Sequence, residues 1–274
     1  MQTFGQEICM ELSFCSFASG SGGNCYLIKS RNTAILIDAG ISTKKIHNAI
    51  EEIGLERQDI QGVFITHEHS DHVKGIPVLT KHNPDWKVFA SRGTGRCISE
   101  KVFCQDQLCC FDAGDIITVG DMEIRSFSIS HDAADPVCYS VRCGESKLTI
   151  LTDTGFVTAE ARAEMTGSDI IVLEANHEVN MLKAGPYPYS LKRRILGDHG
   201  HLSNETAGEF LAEIMSEDSR FRKVFLAHLS KENNFPRLAR QTVANILEEN
   251  SFYIGRHLDL EVMSREGVSG IAHI

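Results

Sequence analysis

Five apolar segments of this sequence each end at a residue that can bind a metal ion or transfer a proton. The segments are short and bounded like buried strands, and they alternate with helical patterns, which indicates an α/β chain. They are Val63–Thr66, Glu123–Ser130, Leu148–Thr152, Ile170–Leu173 and Val224–Ala227, followed by His67, His131, Asp153, Glu174 and His228 respectively. Because sites in α/β proteins are built where strands end, the pattern predicts that these polar residues share one site.

The sequence predicts where two of the intervening helices begin and end. Ser42 is a suitable N-cap, Ile46 and Ile50 follow at helical spacing, and Gly54 ends the segment. Pro236 suits the first turn of a later helix, which Asn250 is expected to end.

The most concentrated group of candidate ligands is the run from His67 to His72, with three imidazoles and a carboxylate at Asp71. In an extended segment His67 and His69 point the same way, so Asp71 and His72 are left to serve a neighbouring ion. Imidazole and carboxylate ligands suit Zn, Fe or Mn. A solvated histidine-rich turn is the alternative interpretation, and the ligand types at distant strand ends argue against it.

The pattern H-x-H-x-D-H after a strand resembles the signature of the metallo-β-lactamase superfamily. Asp38, within Leu36–Gly40, and then His131, Asp153 and His228 follow that family's motifs in order. The resemblance, with the alternation of strands and helices, implies one domain over residues 1–274 that folds as a four-layer αβ/βα sandwich. Residues 1–10 precede the matching part and are a possible N-terminal extension.

The resemblance also implies two divalent metal ions and a role for each ligand. His67, His69 and His131 would hold the first ion. Asp71, His72 and His228 would hold the second, and Asp153 would bridge the two. Asp38 would support the ligand loop through hydrogen bonds instead of binding metal.

The later motifs indicate a branch of this superfamily. Glu174–His177 and Gly200–Ala207 resemble the paired Glu and His motifs of ribonuclease Z-type phosphodiesterases. The group most similar overall is that of the YycJ/WalJ-like exonucleases, through Ser19–Cys25, Thr66–His72, His131–Pro136, Asp153–Gly155, Glu174–His177 and Ala227–Asn234. This resemblance implies a phosphodiesterase that acts on nucleic acid, most like a 5′-to-3′ DNA exonuclease, and that uses a hydroxide bridging two metals.

Hydrolysis of a phosphodiester also needs a proton for the leaving oxygen. His201, oriented by Glu174, is the preferred acid, because a carboxylate behind an imidazole favours its charged form and fixes its orientation. His177 and His199 are alternatives, either as the acid or as phosphate contacts. Together with the metal ligand Asp71, residues Glu174, His177 and His201 form the predicted catalytic set.

The net charge of −10 disfavours a long, sequence-independent grip on nucleic acid, so a polyanionic substrate must be held by a small local basic patch. The stretch from Tyr187 to Arg194 interleaves aromatic and basic residues, as sites for unpaired nucleotides do. A Gly-rich loop, Ser19–Asn24, could approach phosphate through its backbone, although an ordinary turn is equally compatible. The predicted substrate-binding residues are Ser21, Asn24, Tyr189, Lys192, Arg193 and His199.

Two other classes of function remain open at this point. The acidic charge and the lack of an added nucleic-acid-binding domain favour a small-molecule metallohydrolase, either a cyclic phosphodiesterase or a glyoxalase II-like thioesterase. A non-catalytic metal-stabilised module is disfavoured by the complete ligand set. No apolar run reaches the roughly 18 residues of a membrane span, and a signal-peptide pattern is lacking, so a cytoplasmic location without membrane partners is expected. The pattern does not predict an oligomeric state.

Overall fold

The computed structural model describes residues 12–274, and the possible extension at residues 1–10 lies outside the described residues. The fourteen strands in this part of the chain are β1 (Ser13–Ala18), β2 (Cys25–Lys29), β3 (Ala34–Ile37), β4 (Ile60–Ile65), β5 (Lys87–Ser91), β6 (Leu108–Phe111), β7 (Ile116–Val119), β8 (Met122–Ser128), β9 (Val137–Cys143), β10 (Ser146–Leu151), β11 (Ile170–Glu174), β12 (Arg222–Ala227), β13 (Leu258–Val262) and β14 (Ser269–His273). The five predicted strands all form, as β4, β8, β10, β11 and β12.

The strands form two seven-stranded mixed sheets. The first has the order β14-β1-β2-β3-β4-β5-β6, and the second has the order β13-β12-β11-β10-β9-β8-β7. Strands β3 to β6 are parallel to one another, and so are β10 to β13. Parallel strands carry near-continuous apolar runs because both of their faces are covered. The buried tetrapeptides that predicted these strands have that composition.

The two sheets pack face to face through a shared aromatic core. Phe14 of the first sheet lies 5.4 Å from Phe225 of the second, measured between ring centroids. Phe64 and Tyr139 make a second contact across the layers, in edge-to-face geometry, at 5.5 Å. Burial of each such side chain stabilises the folded chain by about 1.5–3 kcal/mol.

The helices cover the outer face of each sheet. The nine α-helices between residues 12 and 274 are α1 (Thr43–Glu52), α2 (Ser70–Val73), α3 (Ile76–His82), α4 (Arg92–Ile98), α5 (Ala159–Met165), α6 (Val179–Ala184), α7 (Tyr189–Ile195), α8 (Asn204–Glu217) and α9 (Pro236–Glu249). Ile46 of α1 and Leu79 of α3 join the outer core of the first sheet, whereas Leu211 of α8 and Val243 of α9 join that of the second. This is the predicted four-layer αβ/βα arrangement.

The predicted helix ends are confirmed. The Ser42 side chain accepts a hydrogen bond from the Lys45 backbone N–H and begins α1. Pro236 is the first residue of α9, and Asn250 is its C-cap. None of the helices in residues 12–274 combines the length and the apolar character that a membrane span requires.

Candidate metal centre

The residues predicted to form the site come together where the central strands end. His67 follows β4 after one residue, His131 follows β8 and Asp153 follows β10. His228 comes directly after β12. Glu174 is the last residue of β11, so the predicted strand Ile170–Leu173 is one residue too short. Within the described chain, four groups of His, Asp and Glu place their potential ligand atoms within 4.8 Å of one another, and all four lie here.

Three residues at these strand ends have a left-handed backbone. The φ angles are 61° at Asp38, 58° at Asp153 and 54° at His228. Residues other than glycine rarely adopt this conformation, which costs about 1–3 kcal/mol each and is found mainly at functional sites. Each strand therefore ends in a tight bend that turns a charged or imidazole side chain into the site.

His67, His69 and His131 form the first potential metal-binding group. The Nδ1 atom of His69 lies 3.3 Å from Nε2 of His131, and the His67 ring centroid is 4.6 Å from that of His69. Burial lowers the pKa of both His67 and His131. These imidazoles are therefore neutral near pH 7, which is the form that binds metal.

Asp71, His72 and His228 form the second group, and Asp153 lies between the two groups. Its carboxylate lies within 4.8 Å of potential ligand atoms of His67, from the first group, and His72, from the second. Towards the second group, Oδ2 is 3.5 Å from Nε2 of His72 and Oδ1 is 3.3 Å from Nδ1 of His228. Burial opposes charge on His228, but Asp153, Asp71 and Glu174 raise its pKa to about 10. A metal ion must therefore displace a proton from this imidazole.

Several buried atoms of these groups have no hydrogen-bond partner. They include Nε2 of His67, Nε2 of His228 and Oδ2 of Asp153. An unpaired buried polar group costs about 1–3 kcal/mol, and more where it is charged. Coordination of a divalent cation would satisfy these atoms, and imidazole and carboxylate donors suit Zn, Mn or Fe. The residues therefore fit the divalent metal binding that the fold implies.

Asp38 is wholly buried behind the ligand loop. Its Oδ2 accepts a 2.7 Å hydrogen bond from Nδ1 of His72, and its Oδ1 accepts the backbone N–H of Thr66 at 2.9 Å. The Thr66 hydroxyl donates to Asp38 and lies 3.0 Å from Nδ1 of His67. Asp38 thus fixes His72 directly and His67 through Thr66, leaving Nε2 of both rings to face the site.

We expect Asp38→Asn to weaken metal binding by about 10–100-fold, because the amide carries no charge to hold the His72 ring and its tautomer. Competitive titration against a chromogenic chelator measures the change in affinity. Asp85→Asn is the matched control, since Asp85 is exposed and distant in sequence from every ligand. An affinity of Asp38→Asn equal to that of the control would contradict the supporting role.

Glu174 is a second buried supporting carboxylate, and it serves two histidines. Its Oε1 accepts hydrogen bonds from Nδ1 of His201 and Nδ1 of His228, both at 2.8 Å. Its Oε2 accepts the backbone N–H groups of Leu202 and Thr154. Burial acts to raise its pKa, but His201 and His228 hold the pKa below the ordinary value. With both oxygens occupied, Glu174 orients imidazoles and does not need a metal partner.

His201 and His177 occupy different environments. His201 lines the cleft over the metal-binding groups, and its side chain is 14% exposed. His177 is buried and is not among the cleft residues, and burial lowers its pKa to about 4. An imidazole with that pKa holds almost no proton near pH 7, so the geometry favours His201 as the acid.

The cleft has a volume of about 240 Å³, and one wall is formed by helix α7 and by Tyr187, two residues before it. Tyr187, Leu191, Arg194 and Ile195 line this wall. They recur at the helical spacing of three to four residues, as one face of a helix does.

The predicted contacts from this stretch need correction. Tyr189 is 77% exposed, and Tyr189, Lys192 and Arg193 do not line the cleft. The Lys192 ammonium donates to the carbonyl of Lys183 instead. The basic residue that faces the cleft is Arg194, which also pairs with Asp132 at 2.9 Å. The predicted stretch therefore borders the cleft, but through a different helical face from the one that carries Tyr189, Lys192 and Arg193.

The other predicted substrate contacts lie around the same cleft, with one correction. Ser21 lines it and is exposed. Asn24 is buried. Its Oδ1 accepts a hydrogen bond from the Gly20 backbone N–H, and its Nδ2 lies 3.1 Å from Nε2 of His72. Asn24 therefore braces the ligand loop and is not available to substrate. His199 is exposed, outside the cleft lining, with Nδ1 3.1 Å from the Ser130 hydroxyl.

Asn176 lines the cleft and was not predicted from the sequence. Its amide donates to the backbone carbonyl of His228 at 2.9 Å. It lies within the Glu174–His177 motif, but that motif alone does not indicate which of its members faces the cleft.

Comparison with known proteins supports the motif-based resemblance. A family model described as a beta-lactamase superfamily domain matches residues 33–229. The chain is 39% identical over 253 residues to exodeoxyribonuclease YycJ of Bacillus anthracis, covering 92% of this chain and 95% of that protein. It is 38% identical over 243 residues to exodeoxyribonuclease WalJ of Streptococcus pneumoniae, covering 87% and 89% respectively.

A solved structure confirms the fold. The metallo-beta-lactamase fold protein YhfI from Bacillus subtilis aligns with a TM-score of 0.71, covering 95% of this chain and 99% of that one at 13% identity. The αβ/βα architecture is therefore common to both chains.

Proposed function

This chain belongs to the metallo-β-lactamase superfamily, and from that premise we propose that it is a metal-dependent phosphodiesterase that degrades DNA from the 5′ end. The observation that carries the proposal is the Glu174–His201 pair, joined at 2.8 Å beside the metal-binding groups. A phosphodiester has a poor alkoxide leaving group, so its cleavage benefits from a positioned proton donor. General acid catalysis typically contributes about 10²–10⁴-fold.

We propose that two ions bind, one at each group. His67, His69 and His131 would hold one, and Asp71, His72 and His228 the other. Asp153 would contact both, since its carboxylate lies within 4.8 Å of potential ligand atoms of His67 and His72. When bound, two divalent ions supply a hydroxide nucleophile at neutral pH and neutralise charge on the phosphate oxygens. Zn, Mn and Fe all suit these ligands.

The protein's own groups would position and protonate the substrate. His201 has Nδ1 occupied by Glu174, so Nε2 is the nitrogen left to protonate the leaving oxygen. Arg194 also lines the cleft, and the guanidinium N–H groups that do not bind Asp132 can donate to a phosphate oxygen. Ser21, on the Gly-rich loop, completes the rim and is available to a further phosphate oxygen.

The two relatives that match most of this chain, both named as exodeoxyribonucleases, support DNA as the substrate. The acidic net charge remains compatible with it, because Arg194 supplies a local positive charge at the cleft. Hydrolysis of a small molecule, such as a cyclic phosphodiester or a glutathione thioester, is the competing proposal that an assay must separate.

A substrate panel tests the proposal. We expect the protein, loaded with Mn or Zn, to shorten end-labelled single-stranded DNA from its 5′ end and to hydrolyse bis-p-nitrophenyl phosphate. RNA and a glutathione thioester are expected to react more slowly. Asp153→Asn, prepared in parallel, controls for a contaminating nuclease. Rapid thioester hydrolysis without DNA cleavage would contradict the proposal.

A further inference from the structure

A second and larger cavity adjoins the metal cleft. It has a volume of about 810 Å³, and Ser21 lines both it and the cleft, so the two cavities meet at that residue. Its walls come from the end of β1 and the loop after it, from the loops after β12 and β13, from one face of α1 that extends to its last residue, and from the residue after α2. We call it the lysine groove, after Lys45, Lys74 and Lys231, which line it together with Arg265.

The charge of the lysine groove is opposite to that of the whole protein. The formal net charge of the chain is −10. In the groove, the four basic residues face only two acidic ones, Glu52 and Glu266. A local excess of positive charge on an acidic protein concentrates a polyanion at that one place.

The cations also differ in what they already bind. The Lys74 ammonium donates to the carbonyl of Gly22 at 2.5 Å, and Arg265 donates to the carbonyl of Ser230 at 2.7 Å. Both therefore hold loops that border the metal cleft. Lys45 makes only a 3.4 Å pair with Glu266, in which both side chains are more than half exposed. Such an exposed pair is worth at most about 1 kcal/mol and is readily exchanged for a phosphate.

Helix α1 adds a second feature that suits an anion. Its N-cap Ser42 and Lys45 in its first turn line the groove, and the first turn contains no acidic residue. The partial positive charge of a helix N-terminus is therefore not neutralised by its own side chains here. Backbone N–H groups at such an end readily bind phosphate oxygens.

We propose that the lysine groove binds the phosphodiester backbone of the DNA strand that extends beyond the nucleotide at the metal centre. This inference rests on the proposed nuclease function and assigns a binding site for the part of the substrate that is not cleaved. Because the lysine groove and the metal cleft meet at Ser21, one strand can occupy both. The groove volume lies within the roughly 300–1,000 Å³ that bound ligands fill, which suits a nucleotide-sized segment.

The test compares a groove variant with a matched control. Lys45→Ala/Lys231→Ala removes two cations that are not placed in the metal centre, and Lys81→Ala/Lys101→Ala removes two exposed lysines that line neither cavity. The substrates are a single strand longer than the roughly 4–16 nucleotides that such sites cover, a dinucleotide and bis-p-nitrophenyl phosphate. KM is measured for each over a series of salt concentrations.

For the long strand, log(1/KM) is plotted against the logarithm of the salt concentration. Each phosphate contact contributes about 0.7 to the magnitude of that slope, so the loss of two contacts should reduce it by about 1.4. At 0.1 M salt this corresponds to a KM roughly 25-fold higher. The dinucleotide and bis-p-nitrophenyl phosphate should be unaffected, because neither reaches the groove. Unchanged KM and salt slope for the long strand would overturn the groove assignment. Absence of DNA cleavage by the unmodified, metal-loaded protein would overturn the nuclease function instead.

Discussion

Replacement of Asp153 is expected to abolish the binding of both metal ions and to reduce hydrolysis of every phosphodiester by on the order of 10³-fold or more, because water without metal returns to a pKa near 15.7. The Asp153 carboxylate lies within 4.8 Å of potential ligand atoms from both groups, those of His67 in the first and His72 in the second. No other carboxylate in the described chain belongs to potential metal-binding groups on both sides of the site. A single substitution should therefore affect two ions.

The choice of variant depends on the backbone at this position. The φ angle of Asp153 is 58°, a left-handed conformation that asparagine adopts more readily than alanine. Asp153→Asn keeps the shape and the turn while removing the charge, so it separates loss of metal from loss of fold. Asp153→Ala is the second variant, and circular dichroism checks that each chain is folded.

Elemental analysis of the purified variants gives the readout. His131→Ala is the comparison, since His131 belongs only to the first group and its loss should chiefly weaken one ion. Less than one metal per chain in Asp153→Asn and at least one in His131→Ala is the expected pattern. Two metals retained by both Asp153 variants would rule out the bridging role.

The fold and the clustering of the candidate metal ligands could be predicted from the sequence because both depend on local patterns. A buried strand followed by a ligand residue is visible in a few consecutive letters, as at Val224–His228, and His67–His72 brings several ligands together without any tertiary contact. The left-handed bends at Asp38, Asp153 and His228 then direct these side chains inward. No sequence pattern signalled those bends, since the residues are not glycines.

The substrate contacts depend on orientation, which a sequence pattern does not contain. Tyr189 and Arg194 lie on the same helix, but only the angle at which α7 packs on the cleft decides which of them faces it. The hydrogen bond between Glu174 and His228 also depends on the tertiary structure and could not be predicted from the sequence. His228 is 54 residues away, and the parallel pairing of β11 with β12 brings the two together. The lysine groove combines several separate loops in the same way.

His201→Ala is expected to lower kcat on DNA by about 10²–10⁴-fold while the metal content stays unchanged. The carboxylate of Glu174 holds Nδ1 of His201, and the ring lines the cleft, so Nε2 is directed to the leaving oxygen in the proposed reaction. The p-nitrophenolate of bis-p-nitrophenyl phosphate leaves without a proton. That substrate should therefore lose far less, and the ratio of the two losses measures acid catalysis.

Three further variants separate His201 from its neighbours. His177→Ala and His199→Ala should reduce both substrates by similar small factors, since His177 is buried with a pKa of about 4 and His199 lies outside the cleft lining. Glu174→Gln should affect both substrates and also the metal content, because Glu174 accepts from His228 as well as from His201. If His201→Ala reduced both substrates equally with its metals retained, His201 would be a binding or structural residue. The proton would then come from His177, His199 or water.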